Sequence, residues 1–283
     1  MRYWRPKPVL NLTELARAKV NLCLHITGKR ADGYHLLDSL VVFPDIGDVL
    51  RVEASNDLTL SIDGPFCNGL SVTDNLVLKA AQMLRPVGRG AALTLTKNLP
   101  ISSGIGGGSA DAAAALRLLS RFWDVPMPRD TLPLGADVPV CVVEQTTRMQ
   151  GIGEDLTPIS NLPNFGIVLV NPLVSVSTAQ IFAMLTQTKN PAITRPDGFA
   201  TATKLFQYLA DQRNDMQPAA VKIAPQIGQV LTEIQRQTEC GLARMSGSGG
   251  TCFGMFSTVA QAQLAADAIA RQQPNWWVVA SQV

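Results

Sequence analysis

The sequence predicts an α+β protein built from two domains. The chain has 283 residues, 46% of them apolar, which is enough to fill two substantial cores. Strand-like alternation and helix-like spacing of apolar residues both occur in each half of the chain. We place the domain boundary near 161–165, which gives domains 1–163 and 164–283, and expect a cleft between two α+β layers.

A β-hairpin is predicted near the start of the chain. Apolar and polar residues largely alternate from Val20 to Thr27, so Lys19 and Asn21 share the polar face of a strand. A second β-rich run follows from Leu36 to Phe43. The connecting loop ends at Tyr34 and His35.

A glycine-rich loop follows the short predicted strand Leu93–Thr96 and precedes the predicted helix Ala112–Trp123. Glycines let backbone amides converge on an anion, and the helix N-terminus adds partial positive charge, so we predict a phosphate site. The loop lacks the Gly-Lys-Ser/Thr ending of a P-loop and the third glycine of a dinucleotide fingerprint. The predicted ATP-binding residues are Pro100, Ile101, Ser102, Ser103, Gly104, Ile105, Gly106, Gly107, Gly108, Ser109 and Ala110.

The remaining elements alternate between helices and strands. Good capping residues precede a helix at Leu76–Leu84. We predict buried strands at Val138–Val143 and Phe165–Val170, and helices from about Ala179, at Thr201–Leu209 and at Val221–Gln237. A second glycine and serine loop, Met245–Gly250, precedes the strand Thr251–Phe256, and the last elements are a helix Val259–Ala270 and a strand Trp276–Ala280.

Composition argues against several classes of protein. Charged residues are 16% of the chain and the net charge is +2, so no basic field for nucleic acid is expected. No run reaches the 18 apolar residues of a membrane span, and Met1–Leu10 leads into no apolar signal core. The five cysteines include no Cys-x-x-Cys pair, and His25 and His35 lack metal-ligand spacing. We therefore expect a cytoplasmic protein without a protein-held metal, a nucleic-acid partner or a membrane partner.

Seven segments in order resemble the GHMP kinase superfamily, whose phosphate loop has the form Pro-x3-Gly-Leu-Gly-Ser-Ser before a helix. Residues 100–109 match that loop with Ile105 at the leucine position. The other matches extend over nearly the whole chain. The seven segments are 18–22, 30–35, 106–108, 134–139, 176–178, 213–215 and 245–249. The resemblance implies an N-terminal ATP-binding domain similar to a domain of a ribosomal protein, a C-terminal α/β sandwich for substrate, and an active site in the cleft.

Within the superfamily, the segments are most similar to the kinases that phosphorylate a tertiary alcohol on a cytidyl diphosphate compound of non-mevalonate isoprenoid biosynthesis. By that resemblance Asp137 is the catalytic base, Lys19 pairs with it, and ATP with Mg²⁺ is the phosphoryl donor. The implied substrate-binding residues are Asn21, Tyr34, His35, Thr178, Gly247 and Gly249. The usual second serine of the phosphate loop is Ala110 here, which leaves Ser109 as the loop's single hydroxyl at that point. The proline common before the lysine motif is Arg17.

Three alternatives stay open at this point. The phosphate loop alone also fits a homoserine, mevalonate or sugar kinase, and Gly33-Tyr-His35 is the segment that discriminates. A catalytically silent binding module on the same fold is disfavoured by the presence of both Lys19 and Asp137. An RNA-binding protein is disfavoured by the near-neutral charge. We expect small-molecule partners and a monomer or weak homodimer.

Overall fold

The computed structural model describes residues 12–194, 196 and 198–283. The prediction about Met1–Leu10 therefore lies outside the described residues. The strands are β1 (Leu12–Arg17), β2 (Val20–Lys29), β3 (His35–Val42), β4 (Gly47–Glu53), β5 (Leu58–Asp63), β6 (Ala91–Thr96), β7 (Thr147–Gly151), β8 (Asp155–Pro158), β9 (Gly166–Asn171), β10 (Leu242–Met245), β11 (Cys252–Phe256) and β12 (Trp277–Gln282).

The α-helices are α1 (Leu76–Leu84), α2 (Gly107–Trp123), α3 (Val138–Val143), α4 (Thr178–Ala183), α5 (Ala202–Ala210), α6 (Gln217–Ile223), α7 (Pro225–Gln235) and α8 (Val259–Gln272). None of these helices is both long enough and apolar enough to span a bilayer. The α+β class predicted from the sequence is confirmed.

The described residues form two compact units that interleave along the chain. The first contains 12–17, 46–99 and 107–143, and the second contains 18–45, 100–106 and 144–283. The interleaving arises because the hairpin of β2 and β3 pairs with β7, more than a hundred residues later. The linear boundary at 163 stays a prediction.

The first unit is a four-stranded sheet in the order β1-β4-β6-β5, covered by helices α1 and α2. Strand β6 alternates buried and half-buried residues, so its leucines at 93 and 95 face the core. Helix α2 buries Leu116 and Leu119 among them, with the Trp123 ring at its end donating to the Gly90 carbonyl over 3.2 Å.

The second unit holds two antiparallel sheets, ordered β2-β3-β7-β8 and β10-β11-β9-β12. Every residue of β9 and β11 is buried. Helices α7 and α8 pack on these central strands and bury Ile227, Val230, Ile234 and Ile269. The predicted hairpin, the strand at Phe165–Val170 and the closing helix and strand are confirmed within one or two residues.

Two of the predicted elements are wrong. Val138–Val143 is the helix α3, in which the Cys141 amide donates to the Asp137 carbonyl over 3.2 Å. A short continuous apolar run fits a buried helix turn as well as a buried strand. The single helix predicted at Val221–Gln237 is two helices, because Pro225 has no N–H to continue the first and stands at the start of the second.

Candidate active site

The phosphate loop connects β6 to α2, and its backbone adopts conformations that favour glycine. Gly104 and Gly106 have φ values of +72° and +67°, in the left-handed region. Ser102 shares this region with a φ of +52°. Helix α2 begins at Gly107, so the amides of its first turn lie at the end of the loop, as an anion site requires.

Residues 245–250, the second loop, pack directly against the phosphate loop within the second unit. The buried Ser246 hydroxyl donates to the Gly104 carbonyl over 2.9 Å, and the Thr251 amide donates to the Ser103 carbonyl over 3.0 Å. A methyl group at Gly104 would lie 2.5 Å from the Gly249 carbonyl oxygen, which is closer than real side chains approach. The second loop therefore braces the phosphate loop through backbone contacts.

Lys19 lies beside the phosphate loop and Asn21 beside the second loop, both within the second unit. The Lys19 amide donates to the Ile105 carbonyl over 2.8 Å, and its side chain is only 4% exposed. A methyl group at Gly106 would lie 3.1 Å from the Lys19 Cβ, so this glycine admits the lysine stem. The predicted catalytic lysine, which immediately precedes β2, thus lies at the phosphate loop.

Asn21 is fully buried and bonds to two hydroxyl groups. Its amide donates to the Ser246 hydroxyl over 3.1 Å, and its side-chain nitrogen donates to the Ser39 hydroxyl over 2.7 Å. The side-chain oxygen of Asn21 is buried and has no hydrogen-bond partner among the described residues. Buried polar atoms are usually paired, so this oxygen is a candidate acceptor for a substrate group.

Asp137 lies in the first unit, at the N-terminal end of α3. It follows a 3-10 turn at Leu132–Leu134, and the Val138 amide donates to the Gly135 carbonyl over 3.0 Å. The Asp137 side chain is half-buried. In the same unit, a methyl group at Gly135 would lie 4.0 Å from the Ser109 hydroxyl, so the Asp137 turn is a neighbour of the first turn of α2. The pairing of Asp137 with Lys19 stays a prediction.

An aromatic pair stands at the end of the β2–β3 hairpin. The His35 ring stacks on Phe182 with centroids 4.5 Å apart and planes 12° from parallel, while Tyr34 is 59% exposed beside it. Burial, aided by the Lys29 charge, lowers the pKa of His35 below its usual value, which favours the neutral ring. Sequence reasoning missed Phe182. Its position four residues after Thr178 on α4, one helical turn away, was the available signal.

Thr178 begins α4 and contacts the second loop. Its hydroxyl lies 2.8 Å from that of Ser248, and the pair is exposed. Ser248 therefore joins Thr178, Gly247 and Gly249 on this side of the second unit, whereas the predicted site residues in this loop were Gly247 and Gly249 alone. The two hydroxyls present both donor and acceptor capacity to solvent.

A buried ion cluster lies beside the start of α2 in the first unit. The Lys97 ammonium bonds to Asp48 and lies 2.7 Å from an oxygen of Asp111. The other Asp48 oxygen accepts the amides of Asn98 and Leu99 over 2.6 and 2.8 Å, while the other Asp111 oxygen has no partner among the described residues. Burial raises the pKa of Asp111 to about 8, an effect that Lys97 only partly offsets. The contact among Lys97, Asp48 and Asp111 was not predicted from the sequence.

The segment 190–194 is hydrogen-bonded to the hairpin sheet. Asp38 accepts two hydrogen bonds from Arg148, over 2.8 and 2.6 Å, and one from the Ile193 amide over 3.0 Å. The Asn190 side chain donates to the Ile26 carbonyl over 3.0 Å. These bonds hold the hairpin close to the loop end that carries Tyr34 and His35.

Comparisons with known proteins identify the family. Residues 75–147 match the GHMP kinases N terminal domain, and residues 197–275 match the GHMP kinases C terminal model. A 4-diphosphocytidyl-2-C-methyl-D-erythritol kinase from Cereibacter sphaeroides is 52% identical over 275 residues, covering 95% of this chain and 98% of the relative. The chain belongs to the 4-diphosphocytidyl-2-C-methyl-D-erythritol kinase family. A family member from Dinoroseobacter shibae is 53% identical over 265 residues, covering 93% of this chain and 92% of that protein.

A solved structure agrees with this family assignment. The crystal structure of a 4-(cytidine 5'-diphospho)-2C-methyl-D-erythritol kinase superposes with a TM-score of 0.74 at 29% identity, covering 95% of this chain and 98% of that one. The predicted superfamily, fold class and kinase activity are therefore confirmed. ATP follows as the phosphoryl donor of a kinase family. The roles of single residues, Lys19 and Asp137 included, stay predictions.

Few protein groups are placed to bind magnesium. The described residues include no group of three His, Cys, Asp or Glu side chains that could hold a metal. Mg²⁺ in kinases is held by one or two protein groups together with substrate phosphates and water, so a small donor set fits it. Ser109 is half-buried in the first turn of α2, whereas Ala110 is 2% exposed and faces the core. Of positions 109 and 110, Ser109 therefore supplies the hydroxyl that could serve.

Proposed function

We propose that the chain transfers the γ-phosphoryl group of ATP to the 2-hydroxyl of 4-diphosphocytidyl-2-C-methyl-D-erythritol. The products are the 2-phosphate and ADP, in the non-mevalonate route to isoprenoid precursors. The observation that carries the proposal is 52% identity to a relative of that name over 95% of this chain. Lys19, Asn21 and the phosphate loop meet in one place, which supports a nucleotide and an acceptor side by side.

In this proposal Asp137 takes the proton of the attacking hydroxyl, and Lys19 stabilises the negative charge that develops on the oxygen. Phosphoryl transfer requires mainly positioning and charge stabilisation, and a carboxylate base helps a hindered tertiary alcohol. The Lys19 side chain is 4% exposed, so its charge acts with little screening by water. The hydrogen bond from the Lys19 amide to the Ile105 carbonyl holds the start of β2 at the loop that would carry the phosphates.

The donor nucleotide would be held by residues 100–110. Amides of the loop and of the first turn of α2 would bind phosphate oxygens, which accounts for the glycines there. Mg²⁺, bound to the phosphates with Ser109 as one protein ligand, would neutralise part of their charge. The hydrogen bond from the Ser246 hydroxyl to the Gly104 carbonyl holds the two loops together, which supports a fixed position for these amides.

The cytosine ring would bind among Tyr34, His35 and Phe182. A flat base stacks well on aromatic rings, and a neutral imidazole can bond the edge of the base. Asn21, whose side-chain oxygen has no partner among the described residues, would contact the remainder of the substrate together with Thr178, Gly247 and Gly249. We place the enzyme in the cytoplasm, as a monomer or weak homodimer.

The test is a coupled ADP-release assay with purified protein, ATP and Mg²⁺ across candidate alcohols. We expect turnover with the cytidyl substrate and little with homoserine, mevalonate or galactose. Turnover of one of those three, with the cytidyl compound ignored, would overturn the substrate assignment. ADP release with none of them, alongside intact ATP binding, would instead favour a silent binding module.

A further inference from the structure

The segment Arg213–Asp215 runs beside strand β2 in the second unit, although it belongs to neither sheet. The Leu24 amide donates to the Arg213 carbonyl and the Asp215 amide donates to the Leu24 carbonyl, each over 2.9 Å. This bridge places the intervening Asn214 side chain, which is 5% exposed, inside the unit. Residues 213–215 are one of the seven segments that resemble the superfamily, and the function proposed above gives them no role.

Asn214 uses its amide group to hold the second loop. The side-chain nitrogen donates to the carbonyls of Met245 and Gly247, each over 2.8 Å. The side-chain oxygen accepts the Met216 amide over 2.9 Å. A group with two donors and an acceptor meets these three partners at once, which a hydroxyl or a carboxylate cannot do.

The two carbonyls that Asn214 binds flank Ser246 on both sides. Ser246 is the residue whose hydroxyl donates to the Gly104 carbonyl. A methyl group at Gly247 would lie 2.6 Å from the same Gly104 oxygen, so the two loops are in backbone contact. Fixing the carbonyls at 245 and 247 therefore fixes the direction of the Ser246 hydroxyl.

We propose that Asn214 is a positioning residue for ATP, which sets the place of Ser103 and Gly104 in the phosphate loop by holding the second loop. The proposal rests on the ATP role of residues 100–110 proposed above. Asn214 acts through Ser246 and needs no contact with the nucleotide. Misplacing a binding loop from a distance is known to weaken function strongly.

The experiment compares Asn214→Ala with Gln237→Ala. Gln237 is the control, because its partly buried side-chain nitrogen also donates to a backbone carbonyl, that of Glu233 over 3.1 Å, but to neither loop and not to the hairpin. We expect both variants to lower the thermal midpoint. Only Asn214→Ala should raise KM for ATP, by about tenfold or more, or lower kcat to a similar degree. Equal ATP kinetics in the two variants would overturn the proposal.

A double-mutant cycle with Ser246→Ala tests whether the effect travels through the second loop. Two changes that act through one contact are not additive. We expect the double variant to lose clearly less kcat/KM for ATP than the product of the two single losses, and full additivity would count against the pathway. If Asn214→Ala does not fold, Asn214→Ser, which keeps one hydrogen-bond donor, replaces it in the double-mutant cycle.

Gly106→Ala separates this proposal from the ATP assignment. Gly106 has a φ of +67°, so alanine is strained there and disturbs the phosphate loop itself. If Gly106→Ala leaves KM for ATP unchanged, the assignment of the loop to ATP fails. If Gly106→Ala raises KM for ATP and Asn214→Ala changes neither KM for ATP nor kcat, the role of Asn214 alone fails.

Discussion

The Lys97 ammonium lies 2.7 Å from the Asp111 carboxylate, and the phosphate loop is the stretch of chain between these two residues. Asp48 completes the cluster by binding Lys97 and the amides of Asn98 and Leu99. Two carboxylates thus share one buried ammonium. The ion cluster joins the chain entering the loop to the first turns of α2.

Asp111→Asn should reduce the pH dependence of stability. The raised pKa of Asp111, about 8 against an ordinary 3.8, means that the folded protein holds a proton that the unfolded chain releases. The contribution of Asp111 to stability therefore falls as pH rises from about 4 to about 8. The variant loses this titration, so its unfolding free energy should fall less steeply over that window.

Urea unfolding at pH 5, 6, 7 and 8 measures this slope. Asp74→Asn is the control, because Asp74 is exposed and Lys79 lowers its pKa, so it titrates below the window. Parallel curves for Asp111→Asn and the native protein would contradict the assigned titration.

Lys97→Met should destabilise the first unit strongly. The change leaves the fully buried Asp48 carboxylate without its cation, and breaking a buried ion pair typically costs about 3–5 kcal/mol. Lys79→Met removes an exposed pair with Asp74 and should cost at most about 1 kcal/mol. Urea midpoints at pH 7 measure both losses. Equal losses would show that the ion cluster contributes no more than a surface pair.

Asp137→Asn should remove most turnover while preserving nucleotide binding. An amide cannot accept the hydroxyl proton as a carboxylate does, and a general base contributes about 10²- to 10⁴-fold. Asp130→Asn is the control, an exposed aspartate of the same segment whose carboxylate accepts the Leu132 amide. The coupled ADP assay gives kcat, and ATP titration gives the binding constant. Native turnover in Asp137→Asn would defeat the base assignment.

Phe182→Ala should weaken binding of the cytidyl substrate and leave ATP unaffected. Phe182 is stacked on His35, so removing it frees the ring that we propose binds the base, and KM for the substrate should rise about tenfold or more. Phe199→Ala removes an aromatic ring that packs on Tyr208 elsewhere in the second unit, with centroids 5.1 Å apart. Steady-state kinetics with each substrate varied separates the effects. A rise in KM for ATP alone would contradict the placement of the base.

Features encoded by neighbouring residues were predictable from the sequence. The hairpin and α2 follow from alternation and helical spacing, and glycines mark the phosphate loop. Val138–Val143 was misjudged because six apolar residues carry no period that separates a helix from a strand.

Features that join distant residues were not predictable. Lys97 meets Asp48 across 49 positions, and Ser246 meets Gly104 across 142. A lysine beside an asparagine looks like a solvated loop until the fold buries it. Phe182 resembled an ordinary helix residue until the hairpin placed His35 on its face.

The contact between Gly104 and the second loop also bears on the entropy of nucleotide binding. Ordering one backbone residue costs about 1–2 kcal/mol at room temperature. The carbonyls of Ser103 and Gly104 are already hydrogen-bonded, so that ordering accompanies folding of the chain and not capture of ATP. Loosening the second loop would then weaken nucleotide affinity, because the phosphate-loop backbone would regain conformational freedom that ATP binding must remove. This would hold even if every atom that touches the nucleotide were unchanged.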